Sequence, residues 1–281
     1  TEKEYVVSEI GTDTGCSVII KRLTWWQRQF IALFLGQCLS LCLTSCGVTS
    51  QSLATFYNVD IPTTQSFLNY LLLGLIYSIV AIVGNRKQFW ISFKERWWIL
   101  FIIGIVDVEA NYTVVSAYQY TTITSVMVLD CFTIPCVMLL SFFILKERFG
   151  FVHVLAVIVC IIGLVTLIFS DAIQQQSEGG GSKQVLGDLL VLLACVLYSI
   201  SNVGQQYQVE RHSNIEFLAM LGIFGSIVSF IQMMILELDA LKTIEWNWEI
   251  VTLIVAFALS LFLLYSTTPF LLQLSSATLM N

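Results

Sequence analysis

Three carboxylates stand inside long apolar runs of this 281-residue chain: Asp107, Glu109 and Asp130. An ionised carboxylate at the centre of a bilayer costs at least about 2.5–3.5 kcal/mol on insertion scales, so such residues persist where they meet a proton, an ion, a solute or a strong donor. Two facing aspartates could also form an intramembrane protease dyad. The GxGD signature of such enzymes is absent, because Gly104-Ile105-Val106 precedes Asp107, and no enzyme is expected. No Lys or Arg lies in the apolar runs that hold the acids, so their partners must be protons, solute, ions or neutral donors. Asn111 stands one turn beyond Asp107 on the same helical face, whereas Glu109 points to roughly the opposite side. Gln37, Ser40, Thr44, Gly47 and Gln51 recur at three- and four-residue steps and form one polar stripe; Ser199, Asn202, Gln205 and Gln206 form another. Either stripe serves a pore lining or interhelical hydrogen bonding equally well. Pro135, five residues after Asp130, should kink its helix and free a backbone carbonyl beside the acid.

The elements that carry these residues are membrane spans. Hydrophobic residues make up 57% of the chain and charged ones 11%, against about 45–50% and 25% in soluble domains. A span needs roughly 20 mainly apolar residues. Eight stretches qualify: Gln29–Gln51, Ser66–Gly84, Trp97–Tyr118, Ile123–Leu145, Phe151–Ser170, Gly187–Tyr207, Phe217–Leu236 and Ile250–Thr267. Asp107 and Glu109 then sit roughly 15–18 Å into the third span at 1.5 Å per residue, near the midplane, with Asp130 at similar depth in the fourth. All seven Trp (25, 26, 90, 97, 98, 246, 248) fall in connections or at span ends, where amphipathic rings gain most. With a cytosolic N-terminus, eleven of the 13 basic residues lie inside (Lys3, Lys21, Arg22, Arg28, Arg86, Lys87, Lys94, Arg96, Lys146, Arg148, Arg211) and two outside (Lys183, Lys242). The positive-inside rule sets this orientation.

No basic block suggests nucleic acid, and no Gly-rich loop suggests a phosphate cradle. Cys38, Cys42 and Cys46 share one face of the first span, but a metal site would need a fourth ligand; small residues for close helix packing explain them better. Neither metal nor cofactor is expected. The sequence Asn111-Tyr112-Thr113 matches a glycosylation acceptor at a depth no transferase reaches. The expected organisation is an N-terminal arm (1–28), a five-helix repeat (29–170), a flexible connection (171–186) containing the Gln/Gly-rich stretch Gln174–Lys183, and a second repeat (187–281). Ala117–Ser125 and Phe270–Thr278 occupy corresponding places in the two halves. Five spans per repeat would invert one half against the other, a plan common among secondary transporters. The chain opens on Thr1 and stops at Asn281 about where a ninth span would begin, so a fragment or truncated form is expected.

Several motifs together resemble the F branch of the solute carrier 35 family in the drug/metabolite transporter superfamily: GQCLSL (Gly36–Leu41), QSFLNY (Gln65–Tyr70), DVEANY (Asp107–Tyr112), AYQYTTITS (Ala117–Ser125), LDCFTIP (Leu129–Pro135), GDLLVLL (Gly187–Leu193), LYSISNV (Leu197–Val203), EFLAMLGIFG (Glu216–Gly225) and SSAT (Ser275–Thr278). The Lys146-Glu147-Arg148 turn resembles the superfamily's common ending there. The resemblance implies an all-α multi-pass fold of ten spans, eight of them present, arranged as five plus five, with both termini cytosolic. It also implies alternating-access transport of small polar organic solutes, from nucleotide sugars to nucleobase- or nucleoside-like compounds, in the plasma membrane or the Golgi and other endomembranes. A homodimer is compatible with it. One departure is notable: where the pattern carries Glu-Glu-Tyr after SNV, this chain has Gly204-Gln205-Gln206-Tyr207, which alters the expected solute charge or ion coupling. The expected solute contacts are Asp107, Glu109, Asn111, Asp130, Gln37, Asn202, Gln205 and Gln206. The competing class is a non-transporting membrane receptor, scaffold or regulatory subunit.

Overall fold

A computed structural model of the chain describes residues 25–146, 150–178 and 183–274. The N-terminal arm with Lys3, Lys21 and Arg22, the Glu147-Arg148 pair and the SSAT motif lie outside the described residues. The described residues form α-helices and no strand: α1 (Trp25–Phe56), α2 (Pro62–Ala117), α3 (Ile123–Asp130), α4 (Thr133–Ile144), α5 (Phe151–Glu178), α6 (Lys183–Val209), α7 (Asn214–Leu236), α8 (Leu238–Thr243) and α9 (Trp248–Leu274). Among the described residues, six helical stretches are long and apolar enough to cross a bilayer, and α5 adds a shorter apolar run, His153–Phe169. The protein is an integral, multi-pass, all-helical membrane protein.

Helix α2 folds back on itself. Its Tyr70 hydroxyl lies 2.7 Å from the Asp107 carboxylate, 37 residues further on; a straight helix at 1.5 Å per residue would separate them by about 55 Å. The reversal occurs at Asn85, whose φ of −153° and ψ of 87° leave the helical region. Asn85 Oδ1 accepts a bond from the Gln88 backbone N–H at 3.1 Å, so this residue caps the returning arm. The spans read from hydropathy leave a connection at residues 85–96, yet the chain is helical again from Arg86. Phe89, Ser92, Phe93 and Arg96 recur at helical spacing, and Phe93 stacks on Phe224 of α7 with ring centroids 5.7 Å apart. This face packs the segment as a helix despite its charges. Similarly, helix extends through residues 171–178 of the expected connection 171–186, because α5 runs to Glu178 and α6 begins at Lys183.

The two arms of α2 embrace α7. A Cβ on Gly222 would fall on the Gly74 backbone nitrogen, well inside contact distance, so the first arm and α7 cross backbone to backbone. One turn on, a Cβ at Gly225 would meet the Tyr70 ring at 2.5 Å. Small residues thus let these helices approach where lipid supplies no hydrophobic drive for association. α1 packs on α9, and α6 packs on both α2 and the α3–α4 pair.

Polar contacts outside the core gather at two ends. At one, Arg96 on α2 pairs with Glu216 on α7 at 3.1 Å, and the Arg211 guanidinium lies over the Tyr207 ring. At the other, Glu237 accepts bonds from the backbone N–H groups of Thr63 (2.5 Å) and Thr64 (2.8 Å). It caps α2, whose own N-cap position, Ile61, has no capping side chain. Tyr57 donates to Glu249 at 2.6 Å, and Gln119 donates to Asp60 at the same end.

Candidate functional site

A cavity of about 270 Å³ opens between α1, α2, α3, α4, α6 and α9. Its polar lining comprises Ser40, Asp107, Asp130, Thr133, Tyr198, Asn202, Gln205, Tyr265 and Thr268. No Lys, Arg or His lines it among the described residues. Of the residues expected to contact solute, Asp107, Asp130, Asn202 and Gln205 meet here. A second cavity of about 40 Å³ lies alongside and is lined by Asn111, Tyr118, Asp130 and Tyr198 with apolar neighbours. Asp130 borders both.

Asp107 is 4% exposed, and both of its oxygens accept hydrogen bonds. Oδ2 accepts from the hydroxyls of Tyr70 (2.7 Å) and Tyr265 (2.6 Å), and Oδ1 accepts from Ser201 (2.7 Å). Asn111 Nδ2 donates its two hydrogens to the tyrosine hydroxyls at 2.7 and 2.8 Å, with the Asp107 backbone carbonyl 3.0 Å away. Because the amide can only donate through its nitrogen, the tyrosine protons are directed onto Asp107. The ring joins both arms of α2 to α6 and α9. Gly225 admits the Tyr70 ring to this position, and its edge-on contact with Tyr265 at 6.0 Å steadies both phenols.

Asp130 is supplied differently. It ends α3, the α-helix passes into a turn over Cys131–Phe132, and α4 starts at Thr133 with Pro135 in its first turn. Proline is tolerated there because first-turn N–H groups have no intrahelical acceptor. The expected kink takes the form of a tightened turn: Cys131 and Phe132 keep right-handed helical φ/ψ, and i→i+3 bonds from the Cys131, Phe132 and Ile134 N–H groups carry the chain from α3 into α4. Thiols of neighbouring helices approach this turn: Cys195 of α6 lies 3.5 Å from Leu129 O, which already accepts from the Phe132 N–H, and Cys160 of α5 lies 3.8 Å from Cys131 O. The Asp130 carboxylate itself meets only the Thr133 hydroxyl at 3.4 Å and the Cys195 thiol at 3.8 Å among the described residues. Gln205, 4% exposed, lines the larger cavity with its Nε2 lacking a hydrogen-bond acceptor among the described residues.

The remaining expected contacts lie elsewhere. Glu109 faces α7, where Gln232 donates to its two oxygens at 3.3 and 3.4 Å. Gln37 is exposed on the outer side of α1; Gly36, Leu39, Ser40 and Leu43 face the cavity instead. One residue shifts a helical position by about 100°, which takes Gln37 off that face. The stripe's far end, Gln51, accepts from the Ile123 backbone N–H at 3.1 Å and fastens α1 to α3. Gln206 is buried away from the cavity and donates to Glu210 at 2.7 Å. Tyr70, Tyr198, Ser201, Thr133 and Tyr265 are not evident from the sequence, since a Tyr or Ser in an apolar span reads as packing. A buried phenol nonetheless needs a partner for its hydroxyl, and that requirement is the available signal.

Comparison with known proteins identifies the family. The family profile described as SLC35F: Solute carrier family 35 matches residues 25–281. The chain is 45% identical over 262 residues to Solute carrier family 35 member F2 of Mus musculus, covering 93% of this chain and 69% of that protein. It is 39% identical over 260 residues to the Xenopus tropicalis protein of the same name, covering 91% and 66%. It is 37% identical over 257 residues to a solute carrier family 35 member of Schizosaccharomyces pombe, covering 91% and 50%. The chain thus spans between half and about two thirds of these relatives' lengths. It belongs to solute carrier family 35, in the F branch.

Proposed function

We propose that the protein moves a small polar organic solute across its membrane by alternating access. The solute is neutral or cationic, nucleobase- or nucleoside-like, and binds in the 270 Å³ cavity. The observation that carries this reading is the cavity's charge: two carboxylates face it, and no Lys, Arg or His does among the described residues. A nucleotide-sugar phosphate would want fixed cations there. The volume falls just under the usual small-molecule range of about 300–1,000 Å³, which suits a compact solute. The tightened turn between α3 and α4 places Asp130 and Thr133 together on the cavity wall, which supports the reading. On this view the end holding Arg86, Lys87, Arg96 and Arg211 faces the cytosol. Five-plus-five inverted repeats, divided near residues 171–186 and completed to ten spans, supply the two halves that rock.

Uptake by proteoliposomes provides the test. Radiolabelled nucleobases and nucleosides should accumulate and compete with one another, while nucleotide sugars should neither accumulate nor compete. Nucleotide-sugar uptake would overturn the solute class. Saturable binding without uptake would favour a receptor.

A further inference from the structure

The two cavity carboxylates are built for different tasks. The oxygens of Asp107 are taken by three hydroxyl donors at 2.6–2.7 Å, and Asn111 dictates the direction of the tyrosine protons. A further proton on Oδ2 would leave two phenolic O–H groups competing for a protonated oxygen. Asp130 offers the reverse situation. Its donors are one hydroxyl at 3.4 Å and one thiol at 3.8 Å, both near the limit of a hydrogen bond. Both donors meet Oδ1, so among the described residues none meets Oδ2, although each carboxylate oxygen can accept about two bonds. It also borders both cavities, which leaves room beside it for an added proton.

We propose that Asp130 is a proton-binding site of the cavity and that Asp107, held by three hydroxyl donors, is a strut that protonates less readily. The step is a simple protonation: a proton entering through the larger cavity bonds to a carboxylate oxygen of Asp130 and cancels its charge. The titratable groups facing Asp130 are Tyr118 just after α2, Cys131 just after α3, Cys195 and Tyr198 on α6, and Cys46 on α1, with Asp107 and Tyr265 across the larger cavity. All of these are acids, and none provides a countercharge. As a coupling site Asp130 rests on the transport reading above; as a proton site it does not, and the experiment addresses the proton alone.

Dicyclohexylcarbodiimide is apolar and adds to protonated carboxyls, forming a stable N-acylurea. The chain is treated in liposomes in a Glu109→Gln background, so that the Asp107 peptide carries one carboxylate, and its peptides are read by mass spectrometry. Asp130 should be modified, with labelling that falls as pH rises, and Asp107 should not. Adding Tyr70→Phe and Tyr265→Phe removes the hydroxyls that hold the Asp107 charge and should make Asp107 reactive. Modification of Asp107 in the background chain, no modification of Asp130, or labelling of Asp130 that ignores pH would each overturn the assignment. Because nothing is transported in this experiment, its outcome stands apart from that of the uptake test.

Discussion

The Tyr265 hydroxyl donates to the Asp107 carboxylate across 2.6 Å, from 158 positions further along the chain. With the Ser201 bond at 2.7 Å, it ties α2 to α6 and α9. Replacing the carboxylate by an amide puts N–H groups where hydroxyls already donate. Hydrogen bonds to a charged group contribute about 1.5–3 kcal/mol each. Asp107→Asn should therefore destabilise the protein by about 3 kcal/mol, whereas Asp130→Asn should unfold at nearly the parent temperature. Thermal unfolding in detergent, followed by intrinsic Trp fluorescence, compares them; equal midpoints for the two variants would contradict the ring's role.

The Gly74–Gly222 crossing leaves no space for a methyl group, because a Cβ on Gly222 would overlap the Gly74 backbone. Backbone cannot yield as a side chain can, so Gly222→Ala should cost about 3 kcal/mol or more. A Cβ on Gly163 meets nothing within 4 Å, and Gly163→Ala serves as the neutral control. Yields of monodisperse protein on size exclusion should separate the two.

Glu237 supplies the N-cap that α2 lacks, through the Thr63 and Thr64 N–H groups and the Thr64 hydroxyl at 2.6 Å. Glu237→Ala strands buried donors at a helix N-terminus, where the dipole also favours negative charge. A loss of about 3 kcal/mol is expected, with Glu237→Gln intermediate. Hydrogen exchange should rise over residues 62–66; unchanged exchange there would deny Glu237 its capping role.

His212 stands between α6 and α7, and burial, then the nearby Arg96 charge, hold its pKa below the ordinary value of 6.5. A depressed histidine favours the neutral form in the fold. The stability it contributes is complete above the unfolded pKa and is lost as pH falls through the folded one. Acidification from pH 7 should loosen the segment around residues 210–216 slightly, since the ring is largely solvent-screened. His212→Gln should flatten that part of the pH profile of exchange, and an unaltered profile would exclude His212.

Much of this site is legible in the sequence because polar residues stand out against apolar spans. Depth alone marks Asp107, Asn111 and Asp130, and helical geometry places Glu109 on the opposite face, where Gln232 meets it. Pairing is not legible. Spacing groups Gln37 with Ser40, yet only the neighbouring helix decides which side of the stripe faces a cavity. Tyr70 and Tyr265 escape notice because their rings suit an apolar span, and their hydroxyl partner lies on a different helix or arm. Hydropathy makes the segment after Asn85 a loop; the apolar face of Phe89 and Phe93 carries the helix through this charged stretch.

The proposed orientation rests on the charge split rather than on contacts. Lys87 and Lys146 should react with impermeant reagents from the cytosolic side when replaced by Cys, and Lys242→Cys from the other. Cytosolic labelling of Lys242→Cys would invert the topology.

Alternating access is tested most directly at Gly36, which lines the cavity and where an added Cβ would meet nothing within 4 Å. In a background where the native cysteines are replaced by serine or alanine, Gly36→Cys is exposed in sealed vesicles to an impermeant maleimide, from one side and then from the other. Alternating access predicts labelling from both sides, with solute slowing each reaction. Labelling from one side alone, at a rate that solute leaves unchanged, would contradict it.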